Sequence, residues 1–150
     1  MRRKVDNIYQ KTGWLLNTLN MFSIRYSTRL VILMFGIVIK IPLSRRGYLQ
    51  CKNESKIWER YKHLNVLGRL YWEFGGIICM RRYAAVDVLI IETEEKKFID
   101  VVVGIKYLIP EFDIDNCDLY RLENWGKSGD DYVLIDYGIN EYISGLYNNK

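Results

Sequence analysis

From Met21 to Leu43 the chain is a succession of short runs rich in Ile and Val, broken at Tyr26-Ser27-Thr28-Arg29 and again at Gly36. Branched side chains at that density crowd a helix and suit a pleated strand, and breaks every few residues are turn signals. The pattern predicts a hairpin followed by a third strand ending at Ile41. It also bounds the most apolar stretch, residues 30–39, which is too short to cross a bilayer as a helix and stops at Lys40 and Pro42.

A helix follows by spacing over residues 51–67, where Ile57, Trp58, Tyr61 and Leu64 share one face. Glu54 lies three, four and seven residues before Ile57, Trp58 and Tyr61, so the same helix places a carboxylate on its apolar face. An acid on the buried side needs a partner. Residues 69–74, then Gly75-Gly76, then residues 77–80 read as two strands joined by a glycine turn. Arg81-Arg82-Tyr83 makes a polar exit.

Beyond it, Phe98, Ile99, Val102, Val103, Lys106 and Ile109 keep helical spacing until Pro110, while the run Val101 to Val103 leaves a strand open. After an acidic loop at 111–118 and the stretch 119–126 come a turn at 127–130 and a strand over 132–135, which runs into Asp136-Tyr137-Gly138. An amphipathic helix is expected in the first twenty residues and a short closing helix over 139–147.

With 49% apolar residues in 150, the chain can bury one substantial core, and no repeat or Pro/Ser linker divides it. A single α+β domain over 1–150 is expected. The net charge of +4, from 22 basic and 18 acidic residues, is well short of a dedicated nucleic-acid binder. Cys51, Cys79 and Cys117 are odd in number and lack zinc-site spacing, so reduced thiols in a cytoplasm are expected. Val5 to Leu19 is too interrupted for a secretory signal, and no membrane segment is foreseen. His63 is the one histidine, which removes most His-based schemes; it is expected at a surface or helix end.

The order of parts is strands, Lys40, a helix bearing Glu54, two strands, a mainly helical stretch, a loop with Asp118 and Asn124, and a strand delivering Asp136. With the phrases Glu-Asn-Trp-Gly and Tyr-Val-Leu-Ile-Asp-Tyr-Gly, this order resembles a small, divergent member of the protein-kinase-like superfamily, of a kind associated with bacteriophages. The resemblance implies a reduced kinase-like fold: a small antiparallel sheet with the Glu54 helix over 1–80, and a truncated, mainly helical lobe over 81–150. It makes Lys40 the phosphate-pairing lysine, Glu54 its orienting acid and Asp118, or Asp115 in its stead, the catalytic-loop aspartate. Asn124 and Asp136 become the magnesium pair, and Ile78 to Met80 the hinge facing an adenine ring. Two oxygen-bearing side chains on neighbouring segments suit a hard divalent ion that keeps waters and phosphate oxygens.

The chain also departs from that family. The phosphate loop G-x-G-x-x-G is replaced by Arg25-Tyr26-Ser27-Thr28-Arg29, and the H-R-D triplet by Asn116-Cys117-Asp118. Asn124 lies six positions after Asp118, one more than the motif gives, and the twelve residues after Gly138 leave no activation or peptide-docking segment. The part that would hold a metal survives while the parts that clamp phosphate and dock a substrate do not. The expectation is a non-catalytic, pseudokinase-like binding or regulatory protein, perturbed by Mg2+ or ATP, with a protein partner in a host cytoplasm. The alternatives are a minimal Mg-ATP phosphotransferase and, third, a nucleic-acid binder using Arg45-Arg46 and Arg81-Arg82-Tyr83. Twelve tyrosines and four tryptophans supply material for a binding surface, although Trp14, Trp58, Trp72 and Trp125 are expected chiefly in the core.

Overall fold

A computed structural model describes residues 22–86, 88–108, 119–138 and 143. The first three strands, β1 (Phe22–Tyr26), β2 (Arg29–Met34) and β3 (Ile37–Pro42), form the expected antiparallel meander. Phe35 and Gly36 make the β2–β3 turn with φ of 35° and 87°. Positive φ at both central residues matches the twist of a tight hairpin, and the glycine takes the larger excursion without strain.

Helix α1 spans Arg45–Tyr61. It begins six residues before the expected start because Ser44 caps it, its Oγ accepting from the Gly47 amide at 3.1 Å. The first turn carries Arg45 and Arg46, so apolar spacing alone cannot show it. The helix also ends at Tyr61 and not at Leu67, since the chain turns over residues 62–66 and Leu67 bridges in parallel to Leu134 on a later strand. The Gly68 amide donates to Leu134 O at 2.7 Å and the Leu134 amide to Val66 O at 2.8 Å. His63 lies exposed just past the helix end, as expected.

Strands β4 (Leu70–Phe74) and β5 (Ile77–Arg81) turn at Gly75 and Gly76, and the first sheet has the order β1-β2-β3-β5-β4. A second antiparallel sheet, β6-β7-β8, pairs Ala84–Ala85, Trp125–Ser128 and Asp131–Leu134. The turn between β7 and β8 is therefore confined to Gly129 and Asp130, with Lys127 and Ser128 in the strand. Between β6 and β7 runs α2 (Val88–Leu108), interrupted by non-helical backbone at Glu94. Helix prevails over strand at residues 101–103 because Phe98, Val102 and Ile105 are buried at helical spacing. Where a mainly helical part was expected after residue 81, the described residues there hold a three-stranded sheet beside one long helix.

These elements share one core. Ile78 and Met80 from the first sheet, Phe98 and Val102 from α2, and Trp125 and Leu134 from the second sheet are buried in the same cluster. Phe98 sits at its centre, edge-on to Trp125 (ring centroids 5.3 Å apart) and to Tyr132 (5.2 Å). The described residues form an α+β fold with small antiparallel sheets and two helices. Trp125 is core as expected, but Trp72 on β4 is 47% exposed. Cys51 and Cys79 are buried free thiols. Among the described residues no helix is long and apolar enough to cross a membrane. The expected helix over the first twenty residues, Trp14 and Cys117 lie outside the described residues, as does the expected closing helix over 139–147 apart from Ile143, which is buried.

Candidate functional site

Strand register decides which side chains meet. Val31 pairs with Lys40 and Lys40 with Ile78, while Leu33 pairs with Val38 and Val38 with Met80. Paired residues point to the same side of a sheet, and alternate residues along a strand do too. Arg29, Val31, Lys40, Ile78 and Met80 therefore share one face. Helix α1 covers part of that face, with the Cys51 thiol 3.9 Å from Lys40 O.

Glu54 projects from α1 into this layer and is fully buried. Its Oε2 accepts from Lys40 Nζ at 2.8 Å, and its Oε1 accepts from Arg29 Nη1. Arg29 reaches further: its Nη2 donates to both oxygens of Asp136, at 2.9 and 3.0 Å. Lys40 also donates to Ile135 O at 3.1 Å and stands 3.6 Å from Asp136 Oδ1. Arg29 and Lys40 are each 5% exposed, whereas the Asp136 side chain keeps 34% of its surface open. Two cations and two carboxylates thus close an electroneutral network, and no buried side-chain polar atom among the described residues lacks a partner.

Each member is held by backbone. The β1–β2 turn is bolted to the start of α1: Thr28 O accepts from the Leu43 amide at 3.0 Å and from Ser44 Oγ at 3.3 Å, and Thr28 Oγ1 donates to Gln50 at 2.8 Å. A Cβ on Gly47 would lie 2.1 Å from Thr28 O, so only glycine allows that approach. With the turn fixed there, Arg29 begins β2 facing inward. On the other side, Asn124 O accepts from the Ile135 and Asp136 amides at 2.7 and 3.3 Å, and the Tyr137 hydroxyl donates to Gly68 O at 2.9 Å. Gly138 packs on α1, where a Cβ would meet Gln50 O at 2.5 Å and Glu54 at 2.8 Å.

The charges shift one another's ionisation. Burial alone would raise the Asp136 pKa, but the fields of Arg29 and then Lys40 outweigh it and hold the carboxyl well below the usual carboxylate range. Burial pushes the Glu54 carboxyl up, and Lys40 and Arg29 pull it back only in part. Burial also disfavours the Arg29 cation, yet Asp136 and Glu54 more than compensate, so it stays charged.

Beside the network opens a cavity of 270 Å3 whose walls include Arg29, Val31, Lys40, Met80, Asn124 and Asp136. The structure thus brings together Lys40, Glu54 and Asp136, sets Asn124 beside them through its carbonyl, and puts Met80 on the cavity wall. Ile78 does not reach the cavity; it is fully buried in the core. Asp118 and its substitute Asp115 lie outside the described residues. Comparison with known proteins finds no matching family model, curated protein or solved structure.

The residue that sequence reasoning missed is Arg29, taken there as part of a turn. Two signals pointed to it: it stands in period two with Val31 and Leu33, and two inward carboxylates share a single inward lysine. Its position also bears on the expected metal. Arg29 occupies both oxygens of Asp136, with Lys40 beside them, so a divalent ion on Asn124 and Asp136 would sit against two fixed cations. Among the described residues there is no cluster of three His, Cys, Asp or Glu that could hold a metal. The side chains as arranged do not fit a divalent cation.

Proposed function

We propose that this chain is a reduced protein-kinase-like scaffold acting as a non-catalytic binding or regulatory protein, with a protein partner that, on the resemblance, is a host component. The observation that carries this reading is the Arg29 guanidinium lodged between Glu54 and Asp136. Phosphoryl transfer in this superfamily rests on a divalent ion bridging phosphate oxygens to the aspartate after the strand. Here that aspartate is neutralised by the chain's own arginine, held inward by a glycine-free turn.

Support for the scaffold comes from a sheet of order β1-β2-β3-β5-β4 with α1 inserted between β3 and β4. Further support comes from the Lys40–Glu54 pair and from Asp136 two residues after β8, its amide bonded to Asn124 O. The same Lys40–Glu54 pair favours the second reading, a minimal Mg-ATP phosphotransferase, which requires Arg29 to withdraw. The two separate on incubation of the full chain with γ-labelled ATP, magnesium and a general acceptor protein. No label above that of Asp136→Ala is expected in the acceptor or the chain itself. Magnesium-dependent label in wild type that Asp136→Ala abolishes refutes the non-catalytic reading and establishes the kinase.

A further inference from the structure

A second cavity, of 480 Å3, opens between the end of α1 and the β7–β8 hairpin. Its cations are Lys62, Arg69 and Arg81, and its carboxylate is Asp131. Lys62 is matched by Glu59, 2.8 Å away. That leaves the two arginines.

Strand register sets them opposite one another. Leu70 pairs with Met80, and one step further out the Arg81 amide donates to Arg69 O at 2.8 Å. A pair bonded in this way holds its Cα atoms about 5.5 Å apart, with both side chains on one side of the sheet. Arg81 also pairs with Ile37, an odd number of residues from Lys40, so both arginines stand on the face turned away from Lys40. Like charges directly opposite in a sheet are destabilising. Neither guanidinium meets a carboxylate among the described residues: Arg69 lies 5.5 Å from the Tyr71 ring and Arg81 5.4 Å from the Tyr83 ring. A ring face orients a guanidinium plane and leaves its fork of N–H donors unspent. The Tyr83 hydroxyl adds a further donor. It accepts from the Arg69 amide at 3.1 Å and so keeps its own proton for another acceptor.

Two forks and a hydroxyl on one side of the sheet call for an anion with more than one charge and more than two oxygens. A phosphomonoester carries close to two negative charges and three strong acceptor oxygens, and arginine pairs with phosphate bidentately. A carboxylate supplies one charge and two oxygens. Trp58 and Leu64 on the cavity wall give the stem that carries the phosphate an apolar surface. Asp131 opposes a run of phosphates, so a single phosphate on a side chain suits the cavity better than a nucleic-acid backbone.

We propose that this cavity binds a phosphorylated side chain of a partner protein, with the phosphate between Arg69 and Arg81 and the Tyr83 hydroxyl donating to it. This rests on the binding-protein reading above and gives its partner a chemical mark. The phosphate supplies the counter-ion that the opposed arginines lack.

NMR titration of the full chain tests it, with the N-acetyl methylamides of phosphotyrosine, phosphoserine and tyrosine and with sodium phosphate, at one ionic strength held by chloride. Both phosphorylated compounds bind saturably, shift the backbone signals of Arg69 and Arg81, and bind at least about fivefold more tightly than free phosphate, whereas unphosphorylated tyrosine does not bind. Arg81→Ala lowers the affinity about tenfold or more, because hydrogen bonds between charged groups are lost. Arg69→Glu abolishes binding and, by setting opposite charges across the strands, raises the thermal midpoint in chloride above that of wild type. Both arginines are exposed, so neither change disturbs the core. Lys52→Met, which removes a cation paired with Glu73 outside the cavity, leaves binding unchanged.

Equal affinity for free phosphate overturns the side-chain assignment and leaves an adventitious ion only. Absence of saturable binding, or undiminished binding in Arg81→Ala, overturns the site. A midpoint for Arg69→Glu below that of wild type shows that the arginines are not opposed and removes the argument. These failures stand apart from that of the functional reading: a chain that neither transfers label nor binds a phosphorylated residue sinks the proposal alone, whereas label transfer sinks the reading even if Arg69 and Arg81 hold phosphate.

Discussion

Of the two acids that face the buried cations Arg29 and Lys40, Glu54 is the fully buried one, so its removal should cost more than that of any other member of the network. In Glu54→Gln the volume barely changes, but Arg29 and Lys40 keep their charges at 5% exposure with only the Asp136 carboxylate between them. Breaking a buried ion pair by deleting one partner typically costs about 3–5 kcal/mol, because a desolvated charge is left behind. For a domain of this size that corresponds to roughly 6–20 °C in Tm. Arg29→Met should cost less, about 1–3 kcal/mol. Glu54 then still holds Lys40 at 2.8 Å, and Asp136 can hydrate through the 34% of its side chain that is open. The control is Lys52→Met, which loses a 2.7 Å pair with Glu73 between partly exposed side chains. Water screens such a pair, so no loss beyond experimental scatter is expected. Urea unfolding gives the ranking Glu54→Gln, then Arg29→Met, then Lys52→Met, with m-values unchanged. If Glu54→Gln unfolds no more easily than Lys52→Met, the network is not a buried one and the argument built on it fails.

Two further outcomes follow from the same geometry. Asp136 has a folded pKa below its unfolded value of about 3.9, so its contribution is fully present above that value and drains as pH falls towards the folded one. The stability gap between wild type and Asp136→Asn in urea should therefore shrink steadily from about pH 5 to about pH 2.5, and a constant gap would contradict the ion pairing. Gly138→Ala puts a methyl 2.5 Å from Gln50 O and 2.8 Å from Glu54, so α1 must shift at a cost of about 1–3 kcal/mol. An unchanged unfolding midpoint in that variant would show that the chain after Asp136 does not pack on α1 as described.

Much of this was legible in the sequence wherever a pattern has a short period. Ile/Val runs with Gly36 and Gly75-Gly76 between them marked β2 to β5 closely, and Glu54 on the face of Ile57 and Trp58 foretold a buried acid in need of a cation. Capping signals were read less well. Ser44 starts α1 six residues before its apolar spacing becomes visible, and residues 66–68 leave the helix because they bond to β8, a partner far along the chain. The β6–β7 pair was hidden for the same reason: Ala84 and Ala85 carry no strand signal of their own and pair across the whole of α2. Arg29 escaped notice because turn residues are read for backbone shape and seldom for where their last side chain points.

The absence of glycine from residues 25–29 and the presence of Arg29 then become one feature with a single physical effect. A glycine-rich turn leaves backbone amides open to an anion and the chain free to move. This turn instead carries Thr28, whose carbonyl and hydroxyl fasten it to Ser44 and Gln50, and the fastening aims the next residue inward. Once Arg29 is there, Glu54 and Asp136 gain a second cation and the layer becomes neutral without any ion from solution. The two cations in turn keep Asp136 ionised on the wall of the cavity despite its burial. The glycine-free turn therefore contributes the charge that closes the network.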